Sequence, residues 1–132
     1  MKILLSVKPI FVKEIIKGRK LFEYRKTIYK NRNVNKIVVY SSSPVCRIVG
    51  EFCVEEILCE APKILWKKTG TKSGVSKEYF DKYFEGRAIG YAIRIKSFHS
   101  YSNPKLLKDT YPGITPPQSF RYVKDEDPQK EK

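Results

Sequence analysis

The 132-residue chain is poor in the groups that metal sites and acid–base enzymes most often use. It has one histidine, His99, and three cysteines, Cys46, Cys53 and Cys59, with no C-x-x-C pair among them. A lone histidine excludes acid–base work by two imidazoles. Thiols spaced in this way build neither a disulfide framework nor a zinc motif, so the reading is free thiols in a reducing compartment. No metal and no cofactor are expected. No apolar run nears the ~18 residues of a membrane span, and the chain has no internal repeats. The opening Met1-Lys2-Ile3-Leu4-Leu5 is only briefly apolar and has no small-residue cleavage site. It reads as a first strand and not a signal peptide, which makes a cytoplasmic location without membrane contact the expectation.

Acidic residues are also scarce, with 14 Asp and Glu against 27 Lys and Arg and a net charge of +13. The excess is uneven: residues 1–36 carry eleven Lys/Arg and two Glu, while the remaining 96 carry sixteen and twelve. A basic surface of this kind is the footprint of a polyanionic partner. No helix-turn-helix signature is visible, and of the nucleic acids RNA is favoured over DNA. Solvated lysines spread over an ordinary surface would give the same total, but not the clustering. A hydrophobic content of 41% over this length suits one domain with its own core.

Lys2 to Lys8 alternates Ile3, Leu5 and Val7 with Lys2, Ser6 and Lys8, the pattern of a half-buried strand, although Leu4 breaks its polar side. Pro9 opens a helix that Gly18 ends. A strand follows over Lys20–Lys26, with Phe22 and Tyr24 on one face and Glu23 and Arg25 pointing out from the other. Further strands are expected over Asn35–Tyr40, Cys46–Leu58 and Arg87–Phe98, with Gly50 marking a bulge or close backbone approach. The strand over Arg87–Phe98 should bury Ile89, Tyr91, Ile93 and Ile95. Ala61–Lys68 and Ser76–Phe84 read as helices, separated by a flexible loop over Thr69–Gly74. The segment Pro116–Val123 bends into a last strand. Residues 124–132 are charged, low in apolar side chains, and read as a disordered tail.

The densest chemistry lies in Gly18-Arg19-Lys20-Leu21-Phe22-Glu23-Tyr24-Arg25-Lys26, directly after the strand and helix of residues 2–17. This placement resembles the ASCH family of the PUA-like superfold, in which a G-x-K-x-x-x-x-R signature borders the ligand cleft. The resemblance covers Met1 to Val123. It implies an α+β domain over residues 1–123, a small PUA-like β-barrel with short flanking helices.

A lysine and an arginine around one carboxylate, Lys20, Arg25 and Glu23, can hold a phosphate while the carboxylate orients Lys20 or accepts a proton. By spacing alone they equally suit an exposed strand paired across to its neighbour. The resemblance places them at the cleft, together with Arg19, Ser6 and Lys8 and the strand end Tyr40-Ser41-Ser42. In family members similar to the amidohydrolases of acetylated cytidine, a threonine nucleophile stands where this chain has Glu23. That covalent route is therefore not expected here, although Glu51 could match their glutamate. Gln118, Ser119, Phe120 and Arg121 form a third cluster, in which Phe120 or Tyr122 could stack an unpaired base. Tyr79, Phe80, Tyr83 and Phe84 read as helix packing, Trp66 as core and His99 as a surface residue. The expectation is an RNA-binding domain with a basic cleft for single-stranded RNA or a modified nucleotide. The alternative is a small hydrolase, a metal-independent ribonuclease or an acylated-nucleoside amidohydrolase, with Lys20, Glu23, Glu51 and Tyr40 as catalytic candidates. Glu23 is expected to keep Lys20 protonated at neutral pH.

Overall fold

A computed structural model describes residues 1–124. In chain order it contains β1 (Lys2–Val7), α1 (Pro9–Ile16), β2 (Phe22–Arg25), β3 (Lys36–Ser41) and β4 (Arg47–Glu60). These are followed by α2 (Pro62–Thr69), a 3₁₀ turn (Gly70–Lys72), α3 (Lys77–Tyr83), β5 (Gly90–Lys105), α4 (Leu107–Thr110) and β6 (Phe120–Val123). Apart from Lys124, the tail lies outside the described residues. No helix among them is long and apolar enough to cross a membrane.

The six strands form one sheet in the order β2-β5-β4-β3-β1-β6, with β1 and β3 parallel and every other pair antiparallel. The alternation in β1 has a direct outcome. Ile3, Leu5 and Val7 enter the main core with Val12 and Ile15 of α1. Leu4 faces the other way and joins a second cluster with Val38, Leu107 and Tyr111. An apolar residue on the polar side of β1 thus has its own cover, supplied by α4 and the segment after it. A third cluster, around Leu65, Phe80 and Phe84, seats α2 and α3 on β2 and β5.

The expected barrel is not closed, because the two edge strands, β2 and β6, do not pair. The sheet is nevertheless strongly curled. Strands β2 and β1 stand four places apart, about 19 Å in a flat sheet at ~4.8 Å per strand. Yet Arg25 of β2 donates from Nη2 to the carbonyl oxygen of Ser6 in β1 at 2.5 Å. Register shifts between Ile48 and Gly50, Glu51 and Cys53, and Val54 and Glu56 bend the long β4–β5 ladder. Gly50 has no room for a side chain, since a Cβ there would collide with the His99 carbonyl and the Phe98 ring.

Three local expectations need correction. The charged face of β2 does not point to solvent: Glu23 is 6% exposed and Arg25 9%, because the curl folds the far strands over them. Ile89 lies before β5 begins and is 49% exposed, and of the four residues expected inside that strand only Ile93 is fully buried. The stretch Thr69–Gly74 is an ordered turn with Thr69 and Ser73 buried, because Ser73 is held by the site below.

Candidate functional site

The curl leaves a cavity of about 860 Å³ between β1, β2, α3 and the segment before β6. Its floor begins where α1 stops. Gly18 takes φ +76°, and the backbone N–H groups of Arg19 and Lys20 both donate to the carbonyl of Glu14. This turn sends the Lys20 side chain inward, where it is only 1% exposed. Its ammonium donates to the Ser73 carbonyl at 2.8 Å and lies 3.4 Å from Glu23 Oε1. The rings of Phe11 and Tyr24 lie 5.1 and 5.5 Å from it. Burial pushes the Lys20 ammonium below the ordinary lysine value, and the charge and hydrogen bond of Glu23 offset this only in part. The direction of the shift is thus set by burial and not by Glu23.

Glu23 is shared. Its other oxygen, Oε2, accepts from Arg25 Nη2 at 2.8 Å. The Nε of Arg25 is buried without a hydrogen-bond partner. The group therefore carries two cations on one carboxylate and keeps one donor unspent, an arrangement suited to an anionic or carbonyl ligand. Ser6 fixes the opposite wall by donating from Oγ to the Pro117 carbonyl at 2.6 Å and from its backbone N–H to Ser119 O. That contact brings Gln118 and Ser119, 111 or more residues away, to the same cavity. Tyr40 lines it too, and burial, with the neighbouring Cys46 thiol, holds its hydroxyl above the usual tyrosine value.

The cavity thus gathers Ser6, Lys8, Lys20, Glu23, Arg25, Tyr40, Ser42, Gln118 and Ser119. Other candidates lie elsewhere. Arg19 is an outward residue paired with Glu14 at 2.7 Å, and Ser41 is buried away from the cavity. Glu51 accepts from Tyr101 at 2.7 Å and lies 3.6 Å from Lys2. Burial raises its pKa, but the Tyr101 hydrogen bond and the charges of Lys2 and Lys36 outweigh this and leave its carboxyl below the ordinary value. Phe120 and Tyr122 are both partly buried against the core, edge-on to Tyr29, so neither is a free stacking ring. Tyr122 also accepts the backbone N–H groups of Lys30 and Asn31. Arg121 is exposed on β6, outside the cavity.

Sequence reasoning missed Lys26, Arg87, Tyr79 and Tyr83, all of which line the cavity. A signal existed for the tyrosines. The α3 aromatics are two i,i+4 pairs and not one stripe, and only Phe80 and Phe84 are buried. Trp66 packs beside Phe80 as expected, and His99 is exposed.

No protein-family model matches the chain. It is 35% identical over 99 residues to the large ribosomal subunit protein uL22 of Ureaplasma parvum, a match covering 73% of this chain. The chain spans about a third (32%) of that protein's length. It is 29% identical over 128 residues to an ASCH domain-containing ribonuclease of Zymomonas mobilis, covering 96% of this chain and 86% of that protein. The crystal structure of the Zymomonas mobilis ASCH protein superimposes with a TM-score of 0.88 at 27% identity, over 98% of this chain and 92% of that one. A tyrosine-to-phenylalanine variant of it gives 0.87. A solved N-terminal domain of McrB from Staphylothermus marinus, at 16% identity and a TM-score of 0.53, shares the fold alone. With likeness in sequence and backbone running almost end to end, and with Lys20 and Arg25 lining one cavity, the similarity to the Zymomonas mobilis proteins supports an ASCH domain in this chain.

Proposed function

We propose that this ASCH domain binds RNA, taking single-stranded RNA or a modified nucleotide into its cleft by the phosphate and the unpaired base. The observation that carries the reading is the lining: among the described residues, Lys8, Lys20, Arg25, Lys26 and Arg87 stand against one carboxylate, Glu23. Cations gathered in a concave site draw in phosphates and release their counterions. Ser6, Ser42 and Gln118 add hydroxyl and amide groups suited to sugar and base edges. The choice of RNA over DNA leans on the likeness to the ASCH domain-containing ribonuclease of Zymomonas mobilis.

A second reading, ribonuclease activity, is favoured by one observation: burial lowers the pKa of Lys20 inside that cleft. A neutral Lys20 amine would accept the proton of a 2′-hydroxyl as its oxygen attacks the neighbouring phosphorus, and the 5′-oxygen would leave with a proton taken from water. Arg25 would stabilise the charge gathering on the phosphoryl oxygens. The amidohydrolase alternative has less support, because Glu51 is bound up with Tyr101 and Lys2.

The test incubates purified protein with labelled single-stranded RNA, and with DNA of the same sequence, with and without a chelator. Retarded RNA, with DNA held more weakly, is expected. Cleavage that disappears in Lys20→Ala establishes the second reading, and failure to retard any RNA overturns the first.

A further inference from the structure

We infer that Tyr79 and Tyr83 of α3 form a platform on which unpaired bases of an RNA strand stack, while Lys8 and Lys26 hold the phosphates beside them. This rests on the RNA-binding reading and adds which part of the strand the cleft recognises.

The two tyrosines are one helical turn apart, and their rings lie 6.1 Å apart and within 11° of parallel. Both are half-buried, and both line the cavity. Helix α3 has in effect divided its aromatics. Phe80 and Phe84 are sunk into the cluster with Leu65, whereas Tyr79 and Tyr83 are half-buried and line the cleft, Tyr83 with one side against that cluster. Each platform ring is braced from its edge. Phe11 meets Tyr79 edge-on at 5.1 Å, and the Tyr83 hydroxyl donates to the Tyr24 carbonyl at 3.3 Å. A ring held at its edge loses little further freedom when a base is laid on its face.

The cations complete the arrangement. Lys8 Nζ lies 5.5 Å from the Tyr79 ring centre and Lys26 Nζ 4.8 Å from that of Tyr83. Contacts of this kind are worth little beside a phosphate partner, so either ammonium can swing from the ring to a phosphate when a base takes the ring face. Two parallel rings, each with its own cation, repeat the base-and-phosphate pattern of a single strand. Paired bases have no free face to offer such a platform, whereas every unpaired base has one, whatever its identity.

The experiment measures the affinity of the full chain for a short labelled single-stranded RNA and for the same strand with abasic residues, which keeps every phosphate. For the wild type, removing the bases should weaken binding by at least roughly 5- to 100-fold, the size of a single stacking contact. Tyr79→Leu and Tyr83→Leu should each weaken the intact strand and leave the abasic one unchanged. The corresponding phenylalanine variants, which keep the ring, should restore the discrimination. A 2-aminopurine in the strand should be quenched by the wild type and not by the leucine variants. Equal affinity of wild type for both strands overturns this inference and leaves RNA binding standing. No binding of either strand overturns both. If a leucine variant does not fold, the wild-type comparison of the two strands decides alone.

Discussion

The Lys20 ammonium donates to the carbonyl oxygen of Ser73 at 2.8 Å, across 53 residues of chain. This bond ties the end of the α1 turn to the loop between α2 and α3, and it stands at the floor of the cleft. A lysine so deeply buried is costly, and the Glu23 carboxylate, the Ser73 carbonyl and the Phe11 and Tyr24 rings offset it. Its retention is a stability cost expected where a binding site needs the group.

The first prediction concerns pH. The folded-state pKa of Lys20 is lowered from its ordinary 10.5. Below the folded value both states hold the proton, and the fold bears the full cost of the buried charge. As pH rises through the folded value the native protein loses this proton while the unfolded chain keeps it up to 10.5, so stability rises. Tyr24, Tyr29 and Tyr83, raised above 10.0 by burial, act in the opposite sense, their contribution being lost at higher pH. Urea unfolding from pH 7 upward should therefore show a rising Lys20 contribution that is absent from Lys20→Met. Identical pH profiles for the two proteins would refute it.

The buried triad makes a second prediction. Glu23 alone separates Lys20 from Arg25, so Glu23→Gln leaves two cations facing each other out of water. Breaking a buried ion pair in this way should cost roughly 3–5 kcal/mol. Lys20→Met leaves the Glu23–Arg25 pair whole and should stay within about 1 kcal/mol of wild type, the relief of desolvation offsetting the lost bond to Ser73. Chemical denaturation of the two variants measures the contrast, and equal losses would show that the triad is not the unit.

Salt dependence gives a third. With five cationic side chains at the cavity and single-stranded RNA as ligand, the log–log slope of affinity against salt should be about −3.5. Lys26→Ala and Arg87→Ala should each flatten it by about 0.7, whereas the exposed pair Lys67 and Lys68 on α2 should leave it unchanged when replaced together. A slope that the α2 pair flattens as much as the cleft pair would mean that only net charge matters.

The order of elements was legible because local rules agree with the global fold. Ile3, Leu5 and Val7 alternate, Pro9 opens α1, Gly18 closes it, and Ser76 caps α3 by accepting from the backbone N–H of Tyr79. The G-x-K-x-x-x-x-R spacing pointed to Lys20 and Arg25 for the same reason: it is local. What was not legible depends on curvature. Nothing near Arg25 announces that its guanidinium meets Ser6, and nothing near Lys20 announces Ser73. A strand pattern shows that Glu23 and Arg25 share a face, but not whether that face meets water or a folded-over edge. Four aromatics in six residues of α3 look like one packing stripe. The pattern does not show that Phe80 and Phe84 are buried while Tyr79 and Tyr83 are half-buried and also line the cavity, Tyr83 still packed against the cluster around Leu65.

The last prediction tests how tightly the loop and the site are coupled. Gly74 follows Ser73 with φ +69°, and a Cβ there would stand 2.7 Å from the Lys20 Cβ. Gly86 has nearly the same backbone, φ +77°, but nothing lies within 4 Å of a Cβ added to it. Gly86→Ala therefore measures left-handed strain alone, about 1 kcal/mol. Gly74→Ala carries the same strain and in addition collides with the Lys20 Cβ and comes within 3.2 Å of its Cα, atoms that move only with the backbone. The total should reach about 2–4 kcal/mol. Because the collision falls on Lys20, Gly74→Ala should also weaken RNA binding at temperatures where it is still folded, and Gly86→Ala should not. Melting curves and affinities of the two variants decide it: equal destabilisation with equal affinity would show that the loop is free to move without disturbing Lys20.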